Sequence, residues 1–330
     1  MYLNFYNLVS EPFDITPDPE FLFASPSHKE AFASIVYGIE MRKGFVAVTG
    51  EVGTGKTTIL RACLAKIDRE LVRPVYVFNP NISFQDLMET IFQELGLTPE
   101  RPTVHAMVQQ FLLFLVEEYK AGRNVVLIID EAQNTPVETL ESLRVLSNLE
   151  NAQDKLLQIV LVGQPELEEK LNRSELRQLR QRIAVWSRIR PLTLRESREY
   201  IRHRLFQVTL EENEVFSPKA VERIVHHARG IPRTINIICD NALITGYGYQ
   251  QNPISGRVAA EVISDMEGKP ARGRLSRWVL GLAAVVLLVV ASLTILLQST
   301  WKPVLFAAPT GRQDSPTARS PQPAPGTTGP

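Results

Sequence analysis

Short apolar runs, almost free of polar residues, recur along the first 190 residues. They are Phe45-Val46-Ala47-Val48, Val75-Tyr76-Val77-Phe78, Val125-Val126-Leu127-Ile128-Ile129 and Leu157-Gln158-Ile159-Val160-Leu161-Val162. Runs of this length without polar alternation read as strands buried on both faces of a parallel sheet. Between them apolar positions fall at helical spacing. Ala31, Ile35 and Ile39 mark a helix over 27–41, and Ser83 caps one that ends at Gly96. Thr103 opens a helix to Gly122, and Thr135-Pro136 opens one with Leu140, Leu143, Leu146 and Leu149 on one face. Ile183-Ala184-Val185-Trp186 reads as the last strand. Strand and helix in alternation predict an α/β fold, a parallel sheet flanked by helices.

From residue 193 the strand pattern stops. Thr193 and Glu196 have the spacing of a capping box, and Ser217-Pro218, Pro232-Arg233 and Ser255 each open a further helix. A small all-helical domain over 193–268 is expected. Trp278 to Leu297 is then twenty residues without a charge. As a helix it would be ~30 Å long, the thickness of a bilayer's hydrocarbon core, so it reads as one transmembrane helix. Lys269, Arg272, Arg274 and Arg277 stand before it and only Lys302 stands close behind, which would keep residues 1–277 in the cytoplasm. Trp278 and Trp301 would mark the two interfaces. The tail is Pro/Ala/Thr-rich and expected to be disordered. The expected layout is a sheet domain over 1–192, a helical lid over 193–268, a basic linker over 269–277, the span over 278–297 and the tail over 298–330.

Composition narrows the classes. Lys+Arg and Asp+Glu balance at 36 each, so no net field draws the chain to nucleic acid. Cys63 and Cys239 fall inside predicted helices, as buried reduced thiols do. The N-terminus lacks the basic and apolar regions of a signal peptide. Residues 1–40 carry Phe5, Tyr6, Pro12, Phe13, Pro17, Pro19, Phe21 and Phe23. Such a segment is either a cover over a ligand's base or a strap across the core, and residue types favour the strap.

The chemistry sits at strand ends. Gly50-Glu51-Val52-Gly53-Thr54-Gly55-Lys56-Thr57 fits G-x-x-x-x-G-K-[ST] at every fixed position, between a strand and a helix that begins near Thr58. Glycines let backbone N–H groups turn to phosphate oxygens, and the helix N-terminus adds partial positive charge. Lys56 would reach the terminal phosphates of ATP and Thr57 would ligate Mg²⁺. Asp130 and Glu131 emerge from the apolar run 125–129, at the sheet edge where ligands bind. Asp130 would hold the Mg²⁺; Glu131 would polarise the attacking water. Gln164, after the next strand, would touch the γ-phosphate or the water, or else cap a turn. Ten Arg and no Lys lie from Arg173 to Arg204. Most suit a solvated face; Arg177, Arg180 and Arg182, just before the last strand, stand apart.

These motifs in chain resemble the secretion-pathway protein A family (ExeA/GspA-like) of AAA+ ATPases. The residues that carry the resemblance are Phe5-Tyr6, Pro12-Phe13, Thr16-Pro17-Asp18-Pro19, Gly44-Phe45 with the loop 49–57, and Asp130-Glu131-Ala132-Gln133. Val162 to Leu167, Gln178 to Ile183 and Gly230-Ile231-Pro232-Arg233 complete it. It covers roughly residues 1–268. It implies an AAA+ P-loop ATPase with a helical lid, whose Arg233 matches the sensor 2 arginine and would approach the γ-phosphate. Arg180 or Arg182 would complete a neighbouring subunit's site in an ATP-dependent oligomer. It implies a bacterial inner-membrane protein that works with a secretion-protein B type partner to assemble a cell-envelope export machine: a type II secretion-like secretin, or a pilus or exopolysaccharide-export relative. Several members carry a peptidoglycan-binding domain after the span; here a low-complexity tail follows instead, and no wall binding is expected of it. The competing reading is a nucleic-acid-loading AAA+ switch of the transposition-helper type. Only the arginine-rich segment favours it, while neutral charge and the apolar run weigh against it.

Overall fold

The computed structural model describes residues 1–16, 18–150, 154–209, 214–268 and 275–300. Five strands form a parallel sheet in the order β2-β3-β4-β1-β5. They are β1 (Phe45–Gly50), β2 (Val72–Val77), β3 (Asn124–Ile129), β4 (Leu157–Gly163) and β5 (Ile183–Ile189). The three central strands β1, β3 and β4 are buried at every position, as expected of unbroken apolar runs covered on both faces.

The edges differ from the sequence expectation. Strand β2 runs from 72 rather than 75 and includes Pro74; it lies at the sheet edge, where a residue without an N–H is tolerated. Phe78, expected inside the strand, follows its end and is 75% exposed. Strand β5 continues three residues past Trp186 and alternates exposed with covered positions, the pattern of the opposite edge.

Helices α1 (Tyr2–Phe5) and α2 (Pro26–Glu40) precede β1, and α3 (Lys56–Lys66) follows it. Next come α4 (Phe84–Leu95), α5 (Val104–Lys120), α6 (Val137–Leu146), α7 (Pro165–Leu171) and α8 (Arg177–Arg180). Caps predicted from the sequence form: Ser83 makes a capping box with Asp86, and Gly96 ends α4 in the left-handed region. Helix α2 begins a residue earlier than expected, because Ser25 caps it and Pro26 fills its first position. One face of the sheet is filled by Phe92, Phe111, Leu140 and Leu143, the other by Ile35, Ile39, Ile59 and Leu60.

The remaining helices of this unit are α9 (Leu194–Phe206), α10 (Pro218–Ala228), α11 (Pro232–Gly248) and α12 (Gly256–Met266). They enclose a core of their own, which includes Tyr6, Leu8 and Phe13 from the N-terminus. Tyr6 is fully buried and donates to the Gln251 carbonyl at 3.1 Å. Both cysteines are buried and free, and burial pushes the Cys63 thiol up to about 12.

Residues 272–330 form a second unit. Its helix α13 (Leu275–Thr300) contains the charge-free run, and the large apolar side chains described over 282–296 are exposed. Among the described residues no helix is long and apolar enough to cross a membrane. The side chains described here extend only ~22 Å at 1.5 Å per residue. The side chains of residues 275–281 and 297–300, and all of Pro17, Lys269, Arg272, Arg274, Trp301, Lys302 and the tail from 301, lie outside what is described.

Candidate nucleotide site

Strand register brings the motifs together. Thr49 at the end of β1 pairs with Gly163 of β4, and Ile129 of β3 pairs with Leu161. The loop after β1, residues 130–131 after β3 and Gln164 after β4 therefore leave the sheet side by side at its C-terminal edge. Ligands of open parallel sheets bind at this edge.

The loop after β1 needs its glycines. Gly53 and Gly55 have φ of +78° and +94°, where a Cβ would be strained. A Cβ on Gly53 would also stand 2.7 Å from Cβ of Arg233. Lys56 starts α3, is 6% exposed, and donates to the carbonyls of Gly50 at 2.9 Å and Glu51 at 3.0 Å. Burial pulls its pKa down, while Glu131 and Asp130 act to raise it. An ammonium held among carbonyls at a helix N-terminus, with two carboxylates near, suits a polyphosphate accompanied by a cation.

Asp130 is the hub on the acidic side. Its Oδ2 accepts from Thr57 Oγ1 at 3.0 Å and from Tyr76 OH at 2.8 Å; its Oδ1 accepts from the Glu131 amide at 2.9 Å. Thr57 and Asp130, the two oxygens expected to hold Mg²⁺, thus touch. Glu131 has φ of +52° and Oε2 accepting from Gln133 Nε2 at 2.5 Å and Gln164 Nε2 at 2.9 Å. Gln164 begins α7 without a side-chain cap, so its amide serves Glu131 instead. Lys170 donates to the carbonyls of Gln133 and of Thr135, the latter at 2.8 Å, and ties down the segment that carries Glu131.

The helical bundle closes the other side. The Arg233 amide donates to the Gly53 carbonyl at 3.2 Å, at the start of α11. A cavity of about 320 Å³ lies between, lined by Val52 to Thr58, Glu131, Arg233 and the N-terminal residues Asp14, Thr16, Phe21 and Phe23. Its size falls in the range of small-molecule sites. The N-terminal segment thus contributes to two places. Its first part is a strap in the helical core, and its second part is a wall of the cavity. Arg204, buried in that wall, donates to the Asp14 carbonyl at 2.9 Å and lies 4.4 Å from the Phe21 ring centroid.

The expected residues Gly50, Glu51, Val52, Gly53, Thr54, Gly55, Lys56, Thr57, Thr58, Asp130, Glu131, Gln164 and Arg233 gather here. Arg180 and Arg182 do not line this cavity. Arg182 donates to the Arg144 carbonyl at 2.9 Å, Ser147 Oγ at 2.6 Å and Asn148 Oδ1 at 2.5 Å, at the end of α6. Arg180 is exposed. Sequence reasoning missed three participants. The sequence pattern marks Tyr76 as a sheet residue and Gln133 only as part of a motif, and does not mark His28.

Comparison with known proteins gives the family and the fold. The AAA domain family matches residues 39–171. General secretion pathway protein A of Aeromonas hydrophila is 40% identical over 248 residues, which are 75% of this chain and 45% of that protein. The chain thus spans less than half the length of this relative. Among solved structures, the ORC2 protein of Aeropyrum pernix in ADPNP–ADP complexes has a TM-score of 0.59 at 18% identity, over 77% of this chain and 71% of its own. Cdc6p of Pyrobaculum aerophilum gives 0.54 at 18%, over 76% and 68%. A Walker-type ATPase of Pyrococcus abyssi gives 0.53 at 17%, over 81% and 79%. At such identities these three likenesses concern the fold alone.

Proposed function

From a chain that is an AAA ATPase related to general secretion pathway protein A, we propose an inner-membrane motor that couples ATP hydrolysis to assembly of a cell-envelope export machine. The observation that carries the hydrolytic part is the contact of Thr57 with Asp130 beside a Glu131 held by two glutamine amides. In this reading the loop 50–58 binds the phosphates of ATP and Lys56 neutralises them. Thr57 and Asp130 would hold Mg²⁺, which would supply further charge neutralisation for the phosphates. Glu131 takes up the proton of the attacking water, and Gln133 and Gln164 orient its carboxylate. The bundle 193–268 acts as the lid, bringing Arg233 to the γ-phosphate.

The motor works as an oligomer of this chain, and Arg180 is the arginine that reaches the neighbouring site. The triple hydrogen bond of Arg182 to α6 within its own chain supports that choice. The membrane reading rests on the twenty uncharged residues from Trp278 and the exposed apolar side chains over 282–296. In this reading residues 1–277 are cytoplasmic, which the basic residues before the run in the sequence support. The partner proposed is a secretion-protein B type membrane protein, and the client a secretin or a pilus or polysaccharide-export counterpart.

Substitution Glu131→Gln tests the chemistry. The variant should bind ATP as tightly as the parent and hydrolyse it at least 100-fold more slowly, since a general base typically supplies about 10²–10⁴. Turnover within a few-fold of the parent would remove Glu131 from the mechanism.

A further inference from the structure

One buried titratable group beside the cavity has no part in the chemistry above. His28 is 4% exposed, in the first turn of α2. Its Nε2 lies 2.8 Å from the Thr54 carbonyl oxygen and its Nδ1 lies 2.6 Å from Ser25 Oγ. A carbonyl only accepts, so Nε2 carries the proton; in the neutral ring Nδ1 then accepts from the serine hydroxyl. Burial pushes its pKa below the ordinary imidazole value, which favours that neutral form.

The consequence is geometric. Across a trans peptide the C=O and the following N–H point in opposite directions. A Thr54 carbonyl fixed toward His28 therefore turns the Gly55 N–H away from the imidazole. The imidazole also packs on this peptide, since a Cβ added to Gly55 would stand 3.3 Å from Nε2. With φ of +94°, Gly55 has the freedom to rotate, and no side chain of its own to prevent it. His28 holds the peptide's carbonyl from outside the loop, in addition to the bonds of Thr54 to the Glu51 carbonyl. Ser25, the other end of the clamp, closes the N-terminal segment that lines the same cavity.

We propose that His28 is a positioning residue for the phosphate cradle: it locks the Thr54–Gly55 peptide so that the Gly55 N–H faces the bound phosphates. It acts through the backbone and touches no reacting atom. The inference rests on the reading of this loop as a nucleotide site. A peptide free to flip would present a carbonyl dipole to an anion in a fraction of molecules, and affinity falls in proportion to the competent fraction. The penalty depends on phosphate, so it separates His28 from a residue that merely supports the fold.

The test measures binding of ADP and of adenosine to the full chain, in the parent, His28→Leu and His28→Gln. Leucine fills space without a donor, and glutamine carries an N–H at similar reach. His28→Leu should lose ten-fold or more in ADP affinity and less than about two-fold in adenosine affinity. His28→Gln should recover ADP binding to within about three-fold of the parent. Equal ADP affinity in the folded Leu variant, or a parallel loss for adenosine, overturns the proposal. Failure of the parent to bind ADP would instead refute the nucleotide site itself. Should the Leu variant not fold, ¹⁵N-histidine spectra of the parent with ADP decide. A neutral His28 ring with its proton on Nε2 supports the clamp, and a proton on Nδ1 refutes it.

Discussion

Replacing Tyr76 by Phe removes one oxygen and its proton from the acidic side of the site. The phenol donates to Asp130 Oδ2 at 2.8 Å, alongside Thr57. Asp130 is 6% exposed, so little water is at hand to replace the lost donor. A hydrogen bond to a charged group contributes about 1.5–3 kcal/mol, equivalent to roughly ten- to a hundred-fold in an equilibrium. Partners that orient a metal ligand typically matter by the same ~10–100-fold in metal affinity. The ring of Phe would keep the packing of Tyr76 on Phe78, whose centroids lie 4.3 Å apart, so the fold should survive. The expected result is a ten-fold or greater rise in half-saturating Mg²⁺, with metal-free ADP affinity unchanged. Titrating Mg²⁺ against both ATP turnover and binding of a fluorescent ADP reads the two separately. Half-saturation within two-fold of the parent would refute the view that Tyr76 orients Asp130.

Lys56→Ala should abolish detectable ATP binding by calorimetry, because it removes the buried ammonium from the cradle; micromolar binding would refute that role. Arg180→Ala should leave the melting temperature unchanged and abolish turnover, with activity regained on mixing with Lys56→Ala. Arg182→Ala should instead lower stability by about 1–3 kcal/mol in urea unfolding, since it strips three acceptors at the end of α6; the reverse pattern would exchange the two assignments. The pKa of His28 is depressed in the folded state, so below the unfolded value of about 6.5 the unfolded chain binds the extra proton first. Stability should therefore fall as pH drops from about 7 toward about 5, less steeply in His28→Gln, and equal slopes would remove His28 from the effect. A reporter fused after Pro330 should respond as external to the cytoplasm; a cytoplasmic signal would refute the proposed span.

The sequence made the phosphate loop readable because its chemistry is local: every contact among residues 50–57 depends on fixed spacing within one turn. Asp130 and Glu131 were readable for the same reason, as the end of an apolar strand. Tyr76 was not, because its partner is set by register. Tyr76 pairs with Ile128, two residues before Asp130, and nothing in the pattern of β2 announces that neighbour. His28 escaped notice because it meets Thr54 across 26 positions of chain, in a helix read only for its apolar spacing. The arginine-rich segment shows the opposite limit. Residue type suggested phosphate contacts for Arg182, while its place beside α6 gives it carbonyl and side-chain acceptors within the chain. The N-terminal aromatics looked like a strap or a cover because composition cannot say which atoms a ring meets.

The mixed parentage of the helical core bears on how the chain is made. Tyr6 hydrogen-bonds to residue 251, and the Val9 amide donates to the Val208 carbonyl at 2.9 Å. The sheet, from 45 to 189, is thus an insertion into a helical domain whose own sequence is cut in two. At ~5–20 residues per second of synthesis, the first aromatic residues wait on the order of 10–50 s for their partners to emerge. Over that time Tyr6, Leu8 and Phe13 are apolar side chains with no core to enter. Loss of the first dozen residues should leave a nascent sheet able to form and a helical domain that never closes.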